Sequence, residues 1–233
     1  MKRLKTTIRV SELADTSLRM VDLFKKETTL TNDAFLKPLF TEIEEKTTAL
    51  SIAIKKESAV SKLEEADELR DETIRNLYAI LKGYKAMRNP QTKASATDLL
   101  EVFKRYGVEI TRESYASESA HIESMLRDFS LAENLPKVEQ LTEVKETIDE
   151  LRERQTAFHN ERLKYETALA ETGSVAAATT LKKPLLQLIN VKLVSFLTAM
   201  KEVEAYKNFA EIILQVIKDA NELIAKRKKT KTE

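Results

Sequence analysis

A chain of 233 residues with 42% apolar side chains can bury a substantial core, and 39 basic against 38 acidic residues leave almost no net field to draw it to nucleic acid or anionic lipid. The absence of cysteine excludes a disulfide frame, a thiolate ligand and a cysteine nucleophile, and fits a reducing compartment. Only 3 glycines and 4 prolines are present, so turns are few and elements long, which reads as all-α.

The start, MKRLKTTIRVSEL, is basic but has no apolar run before Ser11 and Glu12. It is not read as a secretory signal, and a cytoplasmic location is expected. The most apolar stretch, residues 185–200, is interrupted by Gln187, Asn190 and Lys192 and is shorter than the ~20 residues of a membrane span, so it is expected to be a core helix.

In chain order, Ser11 is the expected cap of a first helix reaching Thr28, and a second runs from Asp33 to Lys56 with Pro38 in its first turns. A third spans Ala59 to Arg88 and stops at Asn89-Pro90. A fourth, Ala96 to Tyr106, ends at Gly107, and a fifth runs from Arg112 to Phe129. One helical turn is allowed near Pro136. A sixth helix extends from Thr142 to Glu171 before Gly173, a seventh from Val175 to Met200 with Pro184 inside, and an eighth from Ala205 to Arg227. The expected fold is therefore an elongated all-α bundle of about eight helices, with the third and sixth, roughly 43 Å long, as its two spine helices. Residues 1–225 are expected to form a single domain and residues 226–233 a frayed basic tail.

Two seams carry the candidate site. Steps of four and three from Leu63 reach Asp67, Arg70, Ile74, Leu77, Leu81 and Tyr84, so charges occupy a line that otherwise faces a core. In the sixth helix the line Val144, Ile148, Leu151, Gln155, Phe158, Arg162 is polar near its middle too. Asp67, Arg70, Asp71, Gln155 and Arg162 thus form either a structural polar layer that fixes helix register or a ligand site with a buried ion pair. Glu64, Glu65, Glu68 and Glu72 are read as a solvated face.

The segments TTIRVSEL, EADELRDETIRNL, LLEVFKRYG, ELRERQTAFHNER and AYKNFAEIILQVIKDANELIAK resemble an uncharacterised family of all-helical proteins of about 230 residues from Bacteroidetes-type bacteria. That resemblance implies a helical fold and no established activity.

Other chemistry is thinly represented. A carboxylate-bridged two-metal site needs two Glu-x-x-His motifs, and the chain has one, Glu118 to His121, because Thr156 stands three residues before His159. Neither histidine has a neighbouring nucleophile or phosphate-binding motif, so no catalytic, metal or cofactor residue is assigned. The basic tail, Lys226 to Lys231, lacks the interleaved aromatics of a nucleic-acid binder. The expected function is that of a non-catalytic interaction or scaffold protein with a protein partner. The alternative is a ligand-binding or enzymatic bundle built on the polar layer, and a weaker one is nucleic-acid association through the tail.

Overall fold

The structure, a computed structural model, describes residues 2–172 and 176–230. They contain helices and no strand: α1 (Val10–Lys26), α2 (Leu36–Lys85), α3 (Pro90–Lys104), a 3-10 turn (Val108–Arg112), α4 (Tyr115–Phe129), α5 (Leu135–Gln140), α6 (Thr142–Thr172), α7 (Ala178–Gln187), a π-helical turn (Leu188–Leu193), α8 (Val194–Met200) and α9 (Glu204–Thr230). Backbone at the two ends of the π turn stays helical, so α7, the turn and α8 are one continuous rod. Counted this way, the described residues make the expected all-α set of eight rods, with α2 and α6 the long ones.

The expected second and third helices are a single helix, α2. No proline or glycine stands between Pro38 and Gly83 to end it, and Pro38 lies in its first turn, where its missing N–H is harmless. Asp33 caps this helix, its Oδ1 accepting from the amides of Phe35 and Leu36 at 2.9 and 2.7 Å. Asn89-Pro90 stops α2 and also starts α3 earlier than expected, because Asn89 Oδ1 accepts from the amides of Gln91 and Thr92 and Pro90 fits the first turn. Gly107 has φ 75° and ψ 174°, backbone open essentially to glycine alone, and stops α3 as expected. Gly173 and Val175 lie outside the described residues.

Contacts group the chain into two compact units, Met1–Ser58 with Ala168–Glu233, and Ala59–Thr167. The first has a core of Leu13 and Met20 from α1, Ile43 and Leu50 from α2, Ile189, Leu193 and Leu197 from the π-turned rod, and Ile213 and Ile217 from α9. Phe24 stacks on Phe40 at 4.2 Å, with Phe209 edge-on to Phe40 at 5.9 Å. Each such buried side chain contributes about 1.5–3 kcal/mol. The second unit buries Ile74, Leu77 and Leu81 of α2 against Leu99 and Phe103 of α3, Ile122, Met125 and Phe129 of α4, and Val144, Ile148 and Leu151 of α6.

In the first unit, residues preceding α1 are held by side chains distant in sequence. Leu4 and Ile8 are 1% exposed. Asn190 in the π turn accepts from the Leu4 amide at 2.8 Å and donates to the Leu4 carbonyl at 2.9 Å. Asn221 of α9 accepts from the Lys5 amide and donates to the Arg3 carbonyl, both at 2.9 Å.

The frayed-tail expectation needs correction at its first residues, since α9 continues to Thr230 and Arg227 is docked. Its guanidinium donates to Glu12 and, at 3.0 Å, to the Thr7 carbonyl. A half-shielded ion pair with an added carbonyl bond is worth about 1 kcal/mol. Truncation before Lys226 is therefore expected to lower the melting temperature by about 2–4 °C, and truncation after Arg227 to leave it unchanged. Circular dichroism melts of the two truncations decide this, and identical curves would show that the docked arginine contributes nothing.

Candidate functional site

The second unit contains one arginine with no exposed surface, Arg70 on α2. Its position in the four-three seam that buries Leu63, Ile74, Leu77 and Leu81 forces a guanidinium into the core. There it meets α4 and α6. Nη1 donates to Ser119 Oγ and to Gln155 Oε1, both at 3.0 Å. Nη2 donates to Asp67 Oδ1 at 2.7 Å and to Glu118 Oε2 at 2.5 Å. The guanidinium carbon lies 3.7 Å from the centre of the Phe158 ring, which Tyr115 packs edge-on at 5.1 Å. Four of the five N–H groups are thus used, and Nε is without a partner.

Asp71, one turn from Asp67, pairs with Arg75 at 2.6 Å. Oxygens of Asp67, Asp71 and Glu118 converge to within 4.8 Å of one another. Glu118 Oε1 and Asp71 Oδ1 are buried and receive no donor. Burial pushes the Glu118 carboxyl up to about 8, opposed by Arg70 and reinforced by a hydrogen bond with Asp71 and by the charges of Asp67 and Asp71. Burial raises Asp67 as well, with Arg70 opposing. Three carboxylates face two guanidiniums, so one proton makes the cluster neutral. A proton on Glu118 shared with Asp71 also gives both unpartnered oxygens a hydrogen bond, which buried polar atoms require.

Of the residues placed in this layer by sequence, Asp67, Arg70, Asp71 and Gln155 come together. Asp67 is less enclosed than the others, its side chain 25% exposed. Arg162 does not join them; about two turns beyond Gln155, it pairs along its own helix with Glu166 at 3.0 Å. Glu64, Glu65, Glu68 and Glu72 are exposed, as a solvated face should be.

Glu118, Ser119 and Phe158 were not assigned to the layer. Glu118 carries the same signal as Arg70, because steps of four and three from it reach Ile122, Met125 and Phe129, all buried. His121, its Glu-x-x-His partner, is half-exposed and sits 3.2 Å from Glu113, while His159 is exposed.

The fold and this cluster define an all-α protein whose second unit is pinned by a buried guanidinium among carboxylates. Residues 60–216 match the model of a family of unknown function, DUF6261, and the chain belongs to that family. No curated protein and no solved structure matches it. No helix among the described residues is long and apolar enough to cross a membrane.

Proposed function

We propose that the protein is a non-catalytic interaction or scaffold protein in which the Arg70 cluster is a structural layer. One observation carries this reading: a single side chain of α2, 0% exposed, donates to α4 through Ser119 and Glu118 and to α6 through Gln155. A guanidinium so engaged fixes the register of three helices and has little donor capacity left for a ligand. A protein partner, a bacterial origin and a cytoplasmic location belong to the same reading. The test is native mass spectrometry of the tagged protein isolated from its own cells. A stoichiometric protein partner and no bound small molecule is the expected result; a small molecule that is lost with Arg70→Ala would overturn it.

The convergence of Asp67, Asp71 and Glu118 favours a second reading, in which their oxygens hold a cation as ligand. The two readings differ in a simple measurement. If a proton fills the cluster, millimolar Mg²⁺, Ca²⁺ or Mn²⁺ at pH 7 is expected to leave the melting temperature unchanged. A rise of several degrees that Glu118→Gln abolishes would establish the cation site instead.

A further inference from the structure

We infer that the first unit docks an acidic amphipathic helix of a partner protein, in the furrow between Thr6 and the rod formed by α7 and the π turn. This deepens the reading above, on which it rests for there being a protein partner, by naming that partner's chemistry.

The near-zero net charge of the chain conceals an uneven division. Of its 39 basic and 38 acidic residues, 22 and 16 belong to the first unit, which leaves 17 and 22 to the second. Part of the basic excess gathers around the segment before α1. Lys2, Arg3, Lys5 and Lys218 line a depression on its α9 side, and Lys182 and Lys183 line the furrow on its α7 side. No carboxylate lines the furrow, and among the described residues neither of its lysines has an ion-pair partner. Cations gathered in this way repel one another and favour an acidic partner.

The wall of the furrow is one helix face. Thr179, Lys182, Lys183, Leu186, Gln187 and Val191 follow the three-and-four spacing of a single stripe, which runs from α7 into the π turn. Over these residues the rod extends roughly 18 Å, the length of about three turns of a docked helix. The furrow has a volume of about 520 Å³ and a mostly apolar surface. Val191 is 57% exposed there, while Leu185, Ile189, Leu193 and Leu197 of the same rod are buried. An apolar floor with cations on its rim matches a helix that carries apolar residues on one face and carboxylates beside them.

The same combination argues against other polyanions. A phosphate backbone would use the lysines and leave the apolar floor uncovered, and no aromatic side chain lines the furrow to stack a base. A lipid surface is broad and does not enter a recess one helix wide.

A fluorescent 18-residue model helix, with leucines on one face and glutamates elsewhere, is the probe, titrated into the full-length chain by anisotropy. Lys182→Glu with Lys183→Glu is expected to weaken its binding at least tenfold. Val191→Asp, which keeps both lysines, is expected to do the same. Lys26→Glu with Lys207→Glu, an equal change of charge outside the furrow, is expected to bind as the wild type does. No binding by the wild type, or an equal loss in the outside pair, would overturn the inference. So would equal binding of a scrambled peptide without an apolar face, or tighter binding of a single-stranded oligonucleotide or of phosphatidylserine vesicles. A stoichiometric partner that native mass spectrometry still finds on the Lys182→Glu, Lys183→Glu chain would sink this inference alone and leave the reading above standing.

Discussion

Arg70→Ala is expected to destabilise the protein by about 3–5 kcal/mol, the usual cost of removing one partner from a buried ion pair. The loss is large because the substitution leaves Asp67, Asp71 and Glu118 within 4.8 Å of one another with only Arg75 to balance them, and opens a void beside Phe158. Glu68→Ala, two residues away on the exposed face of the same helix, is expected to change stability by less than about 0.5 kcal/mol. Urea unfolding of both variants supplies the comparison. Because Glu118 already holds a proton at neutral pH, adding Glu118→Gln to Arg70→Ala should change stability little further there. Small and equal losses for Arg70→Ala and Glu68→Ala would remove the case for a structural layer and leave the cluster to a ligand.

Glu118→Gln is expected to remove much of the protein's loss of stability as pH rises from about 4.5 to 8. The folded protein holds the Glu118 proton up to about pH 8, whereas the unfolded chain releases it near 4.5. The folded state therefore binds more protons across that window, and stability falls as the pH rises through it. The contribution of this group is fully present below about 4.5 and is lost as pH passes 8. Glutamine imitates the protonated acid: its oxygen still accepts from Arg70 and its amide nitrogen can donate to Asp71. Between pH 6 and 9 the wild type should lose several degrees of melting temperature while Glu118→Gln stays nearly flat, and at pH 9 the variant should be the more stable of the two. Parallel curves would mean that the carboxyl is ionised in the folded protein at neutral pH.

Arg70 and Gln155 were legible in the sequence because each interrupts an otherwise apolar seam, and a polar residue there must find a buried partner. Glu118 was equally legible in principle, but the line through Tyr115 and Ser119 reaches the same buried Ile122 and Phe129, so an apolar stripe could be drawn on this helix without including the glutamate. Helical spacing fixes the side of a helix and not what stands opposite it, which is why Arg162 shares a seam with Gln155 and yet pairs along its own helix with Glu166. Leu4 and Ile8 gave no signal. Their segment is neither helix nor strand, and its clamps come from residues 186 and 216 positions away, so nothing in the local pattern reports them.

The π turn shapes the buried face of the rod it interrupts. Leu185, Ile189, Leu193 and Leu197, each 0% exposed, are spaced four apart each time. In a regular α-helix each such step drifts by about 40°, so three carry the stripe about 120° around the rod. A wider turn winds less per residue and takes part of that drift back, keeping the four on one side while Asn190 faces the Leu4 peptide. The clamp on Leu4 thus depends on how many residues lie between Pro184 and Leu197 as well as on which they are. Loss of a single one there, even the 57% exposed Val191, would let the rod close to a plain α-helix with its two flanks in nearly the same orientation, so Leu185 and Leu197 would stay on one side while the wide turn that presents Asn190 to the Leu4 peptide would be gone.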